Sequence, residues 1–211
     1  WELTYREKLD FGLEFFIKGM VAITENRMVT LAEAPLMLEY QKSEGNPIGV
    51  KDVIPTDGYM TSVDEVVNYV PSIYEPQGAL PGDFAYADFD CNGVINDKDR
   101  VFQGHSDTPA KTGGLTLGAS FKGIGLNVFV IGATDYNYFA DIGNLWYYPF
   151  MELLPNGRKE HLDYWTPDNP DAAWPTPHVY SQHKNWRTDH QLLDASYIRL
   201  KNVELSYTFN P

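Results

Sequence analysis

Hydrophobic and polar residues alternate with a period of two in several parts of the chain. One residue of each pair is leucine, isoleucine, valine or an aromatic residue, and the next is mostly polar or glycine. This period is typical of a β-strand with one apolar and one wet face, because successive side chains of a strand point to opposite sides. The pattern predicts strands over about 9–18, 114–122, 125–131 and 197–209.

Three local features refine this pattern. Lys122-Gly123 predicts a tight turn between the two middle strands, because glycine accepts positive φ at little cost. The apolar face changes phase within the last strand, so we expect a β-bulge near Lys201. Ser62 and Glu65 stand at the spacing of a capping box and predict a short helix that begins after Ser62.

Two long polar stretches separate the strands, over about 32–113 and 134–196, and both are rich in Pro, Gly, Asp and Asn. Connections of this length are unusual in compact domains and usually carry function. Barrels of the bacterial outer membrane have short turns at one end and long loops at the other. A short turn flanked by two long connections has the same asymmetry, so we expect both stretches to be loops.

Composition narrows the possible functions. The 211 residues carry a net charge of −13, which disfavours binding to the phosphate backbone of nucleic acid. No stretch approaches the roughly 20 apolar residues that a membrane helix needs, so a membrane protein with this sequence has to be a barrel. The chain contains no nucleophile-elbow, P-loop or zinc-protease motif, and we expect no enzyme.

The strongest local motif is DFDCNGVINDKD at 88–99, which fits the twelve-residue calcium loop. This spacing wraps oxygen ligands around one point, as Ca²⁺ requires, although an aspartate stands at position twelve where the longer glutamate is usual. The alternative is a turn rich in Asp and Asn that binds no metal. The expected ligands of a structural Ca²⁺ are Asp88, Asp90, Asn92, Val94 (through its carbonyl) and Asp99.

Four stretches resemble, in the same order, motifs of the SusC/RagA-type TonB-dependent transporters. The order of all four is more specific than any one of them. They are GDFAYADFDCNGVINDKDRVFQG at 82–104, GGLTLGASFKGIGLNVFVIGA at 113–133, YWTPDNPDAAWP at 164–175 and LLDASYIRLKNVELSYTF at 192–209.

The resemblance implies an all-β fold, in which residues 1–211 are a partial C-terminal region of a large antiparallel transmembrane β-barrel with long extracellular loops. It implies a transporter of the bacterial outer membrane, from a Bacteroidota source, that imports glycans or peptides together with a SusD-like surface lipoprotein. The barrel would contact outer-membrane lipid, and TonB would act through an N-terminal part that this sequence lacks. We therefore expect the chain to be a fragment of a longer protein.

One competing hypothesis is a soluble, calcium-stabilised carbohydrate-binding β module, with the aromatic residues as its sugar platform. The two hypotheses differ in the surroundings of the apolar strand faces. These faces contact lipid in a barrel, whereas in a soluble module they pack against each other in a dry core.

Overall fold

The computed structural model describes residues 1–73, 78–140, 159–178 and 187–209. The prediction of an all-β, antiparallel fold is confirmed, because every strand pair among these residues is antiparallel. The strands are β1 (Glu2–Lys8), β2 (Glu14–Ile23), β3 (Lys51–Val53), β4 (Thr56–Tyr59), β5 (Phe84–Tyr86), β6 (Val101–Gln103), β7 (Lys111–Phe121), β8 (Ile124–Thr134), β9 (Asn137–Phe139), β10 (Leu192–Asp194) and β11 (Tyr197–Tyr207).

Helical structure is limited in the described part of the chain. One α-helix, α1 (Val63–Asn68), begins after Ser62 as predicted, and the Ser62 hydroxyl accepts a hydrogen bond from the Glu65 amide at 3.2 Å. No helix in these ranges is long and apolar enough to cross a membrane. The remaining helical turns are 3₁₀ helices at Glu39–Gln41, Asp97–Asp99, Lys159–Leu162 and Asp189–Gln191.

The largest element is a five-stranded sheet with the order β1-β2-β7-β8-β11. Strands β7 and β8 form the predicted hairpin, and both turn residues have positive φ, 48° at Lys122 and 86° at Gly123. The predicted bulge is also present, because the register between β8 and β11 shifts between Leu200 and Asn202.

The prediction of one strand over 9–18 is wrong, because the chain turns back within that range. Strand β1 ends at Lys8 and β2 begins at Glu14. Gly12, at φ 93°, lies in the turn, and its amide donates to the Leu9 carbonyl at 2.9 Å. The alternation continues through the turn because a hairpin returns the chain to the same face of the sheet, so the pattern alone does not reveal the break.

The long connections contain short strands of their own. Strand β3 pairs with β6, β4 with β5, and β9 with β10. The buried core of the described residues lies here rather than in the five-stranded sheet. Of the predicted loop 134–196, residues 141–158 and 179–186 lie outside the described ranges. The core cluster consists of Ile54, Phe84, Tyr86, Ile95 and Trp174.

Candidate functional site

The five-stranded sheet has one continuous apolar face. Cross-strand pairing aligns the alternating hydrophobic residues of neighbouring strands, so that each row runs across the whole sheet. The bulge keeps Leu200 and Val203 on this face by adding one residue between them. Two of its rows are Tyr5, Ile17, Leu117, Val128 and Val203, and Glu7, Phe15, Ala119, Leu126 and Leu205.

The opposite face is mostly polar, charged or glycine. Two salt bridges join its first two strands, Lys8–Glu14 at 2.6 Å and Lys18–Glu2 at 3.0 Å. Both pairs are substantially exposed and therefore contribute little to stability. One row of this face consists of Thr4, Lys18, Thr116, Phe129 and Asn202.

Aromatic residues interrupt the polar face where a neighbouring strand carries glycine. A Cβ atom added to Gly118 would lie 2.0 Å from Cε1 of Phe16, so the ring occupies the space that the glycine leaves. Phe129 approaches Gly114 in the same way, at 3.2 Å. The phenylalanines that break the alternation are thus packed within the sheet, and the signal for them is a glycine on the paired strand.

Aromatic side chains also gather near the Lys122-Gly123 turn. The rings of Phe11 and Phe121 have centroids 6.1 Å apart, and those of Tyr207 and Phe209 are 4.7 Å apart. Outer-membrane barrels carry aromatic girdles where the apolar band meets the membrane interface. This cluster has the chemistry of such a girdle and lies at the turn end of the apolar face.

No described residue of the sheet belongs to the buried core cluster, and the described parts of the connections leave the apolar face exposed. Leu117 is 40% exposed and Leu205 is 75% exposed. A soluble β module would bury these side chains against a second layer. The exposed face instead fits a barrel wall, whose apolar side contacts lipid.

The loop at 88–99 brings three of its predicted metal ligands together. Asp88, Asp90 and Asp99 each offer a carboxylate oxygen, and these three atoms lie within 4.8 Å of one another. Two like charges 4 Å apart repel by about 4 kcal/mol at the effective dielectric constant of a protein surface. A hard divalent cation would remove this repulsion, and carboxylate oxygens are the ligands that it prefers.

Backbone amides hold all three carboxylates in place, and Asp90 accepts from the Asn92 amide at 3.2 Å. Asp88 accepts from the amides of Asn92 at 3.1 Å and Gly93 at 2.8 Å. Asp99 is fully buried and accepts from the amides of Phe89 at 2.8 Å and Asn96 at 2.7 Å. The short aspartate at position twelve therefore reaches the centre of the loop, because the 3₁₀ turn at Asp97–Asp99 carries it inward.

The other two predicted ligands, Asn92 and Val94, form hydrogen bonds within the loop. Asn92 Oδ1 accepts from the Val94 amide at 2.9 Å, and Asn92 Nδ2 donates to Asp90 Oδ2 at 2.7 Å. The Val94 carbonyl accepts from Asn96 Nδ2 at 2.8 Å. A carbonyl oxygen has two lone pairs, so both oxygens retain one for a cation. The donor set fits a hard cation, with three carboxylates converging and two carbonyls beside them.

Two residues far away in sequence hold the outside of the loop. The Tyr40 hydroxyl donates to the Lys98 carbonyl at 2.7 Å, and Gln41 Nε2 donates to the Asp97 carbonyl at 2.8 Å. Burial raises the pKa of Tyr40, and the negative charges of Asp90 and Asp99 raise it further. Neither residue was predicted from the sequence, because no local pattern links Tyr40 or Gln41 to carbonyls 58 and 56 residues downstream.

The chain is similar to known transport proteins. No family model matches it. It is 29% identical over 130 residues to the TonB-dependent receptor P3 of Formosa agariphila, an alignment that covers 60% of this chain and 12% of that protein. Its fold matches the RagAB peptide importer in the open-open state with a TM-score of 0.66, at 18% identity over 98% of this chain, and in the closed-closed state with a TM-score of 0.64.

The chain thus spans only 12% of the curated relative and 21 to 22% of the matched importer chains. These relatives are a receptor and an importer, which confirms the prediction that the chain is not an enzyme. The resemblance of four ordered motifs to SusC/RagA-type TonB-dependent transporters is confirmed as well, because the chain is similar in sequence to a TonB-dependent receptor and in fold to the RagAB importer.

Proposed function

We propose that this chain forms part of the wall of a transport barrel in the bacterial outer membrane. The observation that carries the proposal is the continuous apolar face of the five-stranded sheet, with a polar face behind it. Alternation of lipid-facing and interior-facing side chains is the general pattern of outer-membrane strands. The apolar face then contacts lipid, and the polar face lines the interior.

We further propose that the complete transporter imports glycans or peptides together with a SusD-like surface lipoprotein, and that TonB acts through a part outside this segment. The matched importer is named for peptide import, which supports a peptide as one substrate class. The long connections then lie on the extracellular side, because they leave the sheet opposite the Lys122-Gly123 turn.

Arginine substitutions on the two faces test the wall assignment. In the full-length transporter, Leu117→Arg or Leu205→Arg places a charge on the lipid face and should destabilise the barrel by about 2 to 4 kcal/mol at midplane depth. Heat-modifiable migration of the barrel from outer-membrane fractions measures its assembly.

Matched controls come from the polar face of the same strands. Thr116→Arg and Ser206→Arg lie next to the two test positions but point to the other side of the sheet. We expect both controls to assemble. Normal assembly of both leucine variants, or equal loss in all four, would contradict the wall assignment.

We also propose that the loop at 88–99 binds one structural Ca²⁺ through Asp88, Asp90 and Asp99, with the carbonyl oxygens of Asn92 and Val94 beside them. The support is the convergence of three carboxylates within 4.8 Å. Extracellular calcium modules bind at about 10⁻⁴ to 10⁻³ M, an affinity that suits a permanent clip rather than a sensor.

Calorimetry with the detergent-solubilised transporter tests the calcium site. We expect one binding event in the millimolar range and its loss in Asp90→Ala. Asp97→Asn is the matched control, because Asp97 is an exposed loop carboxylate that pairs with Arg100 outside the cluster. Absence of heat in the parent protein at millimolar calcium, or equal loss in Asp97→Asn, would refute the site.

A further inference from the structure

A recess of about 560 Å³ lies on the polar face of the five-stranded sheet, at the end opposite the Lys122-Gly123 turn. Its volume lies within the range of small-molecule pockets. We propose that it binds the carboxyl-terminal residue of a peptide, with an apolar side chain in the recess and the carboxylate on Arg199. This inference rests on the proposed barrel wall, because only then does the polar face line the interior near the extracellular mouth.

The recess follows from the sizes of the side chains in two neighbouring rows of the sheet. In the outer row, three small side chains leave space beside a tyrosine ring. In the inner row, longer side chains stand on both sides of a glycine. The outer row consists of Ala22, Thr112, Ala133 and Tyr197, and the inner row consists of Glu2, Met20, Gly114, Ile131 and Arg199.

The surface of the recess is mainly apolar. Met20 lies over Gly114, since a Cβ atom built on this glycine would stand 2.5 Å from Met20 Cε. The Met20 side chain is still 38% exposed, and Ile131 and Ala133 continue the surface beside it. An apolar side chain that enters the recess leaves water and is stabilised by that burial.

Arg199 stands at the edge of the recess and supplies a positive charge. Its guanidinium carbon lies 5.0 Å from the centre of the Tyr197 ring, and this contact holds the long side chain beside the recess. Arg199 is exposed and forms no ion pair within the part of the chain that the structure describes. Its guanidinium is therefore free to bind an anionic group.

The other charges of these rows leave Arg199 as the place for a carboxylate. Glu2 stands at the far end of the inner row, four strand spacings or about 19 Å from Arg199. Its carboxylate is already paired with Lys18 at 3.0 Å. An anion at Arg199 therefore meets little repulsion from Glu2, and a guanidinium binds a carboxylate through two parallel hydrogen bonds.

The carboxyl-terminal residue of a peptide combines the two groups that this arrangement recognises. Its side chain and its carboxylate branch from the same Cα atom, so they lie as close together as the recess and Arg199. A neutral glycan has no carboxylate for Arg199, and its hydroxyl groups would lose water against Met20 and Ile131 without gaining a partner. The recess thus favours peptides among the substrate classes of the proposed transporter.

Two matched peptides and the detergent-solubilised, full-length transporter test the carboxylate contact. The probe is a fluorescently labelled heptapeptide of glycine and serine that ends in leucine, used as the free acid and as the carboxyl-terminal amide. Fluorescence anisotropy measures both dissociation constants. We expect the free acid to bind about tenfold more tightly, because hydrogen bonds to a charged group are the stronger ones. Arg199→Gln should abolish this difference and leave the affinity for the amide unchanged.

A third peptide, which ends in serine instead of leucine, tests the apolar recess. The parent protein should prefer leucine to serine about tenfold, since a leucine side chain gains more from burial. Ile131→Asn should remove this preference. Lys201→Gln is the matched control, because it removes a cation from the same strand but lies outside the recess, and we expect its affinities to equal those of the parent.

The comparison of acid and amide in the parent protein needs no variant. Equal binding of the two, or no binding of either, would overturn the proposal, as would equal weakening in Arg199→Gln and Lys201→Gln. Tighter binding of maltohexaose that is lost in Ile131→Asn would assign the recess to glycans instead. Heat-modifiable migration reports on the barrel wall separately, because only normal assembly of Leu117→Arg counts against the wall.

Discussion

At the scale of residues, Ile95 connects the acidic loop to the core. It stands at position eight of the loop, is fully buried, and belongs to the cluster with Phe84 and Trp174. Its amide donates to the Pro71 carbonyl at 2.8 Å, and its carbonyl accepts from the Ile73 amide at 3.1 Å. The loop is therefore anchored by packing as well as by its own hydrogen bonds.

Ile95→Ala should loosen the loop selectively. Truncation of a buried isoleucine to alanine lowers the free energy of unfolding by about 2 to 5 kcal/mol, because apolar burial is lost and a cavity remains. Hydrogen exchange of the Ile95 and Ile73 amides should quicken accordingly, while amides of strand β7 keep their protection. Val94→Ala is the control, since Val94 is an exposed neighbour, and equal quickening in that variant would contradict the anchor.

At this scale, the sequence predicts contacts between residues that lie close together in the chain. The spacing of Asp88, Asp90 and Asp99 predicts that their carboxylates converge, because all three belong to the same twelve-residue loop. The contacts of Tyr40 and Gln41 with the loop bridge more than 50 residues. Neither residue type signals such a contact, so only the folded chain reveals it.

At the scale of elements, the pairing of aromatic residues with glycines determines how strands fit together. Phe16 of β2 lies over Gly118 of β7, and the two residues are directly opposite in the register. Period-two analysis treats Phe16 as an exception, since it considers one strand at a time. The hairpin of β1 and β2 escaped prediction for a related reason, because β1 carries charges on both faces.

Gly118→Val should therefore displace the Phe16 ring and weaken the pairing of β2 with β7. Overpacking of this kind lowers the free energy of unfolding by about 1 to 3 kcal/mol. Gly19→Val is the matched control, because a Cβ atom at Gly19 would meet nothing within 4 Å. Urea unfolding of the purified barrel measures the loss, and Phe16→Ala should rescue Gly118→Val. Failure of that rescue would show that the ring is not the obstacle.

At the scale of the whole molecule, the chain combines a single-layer sheet with a separate packed body built from its connections. Strands β7, β8 and β11 of the sheet were predictable, because strands of eleven residues display their period clearly, whereas β1 was missed and β2 was misplaced. The packed body was not predictable, since its strands are three or four residues long and pair across large separations. Its residues were predicted only as loops for this reason.

The body joins two segments that lie more than a hundred residues apart. The Ile54 amide donates to the Arg187 carbonyl at 2.7 Å, Asp189 accepts from the Thr56 amide at 3.1 Å, and Arg187 pairs with Asp52 at 3.0 Å. Hydrogen bonds tolerate little lengthening before they break. A displacement of one connection therefore either breaks these bonds or carries the other connection with it.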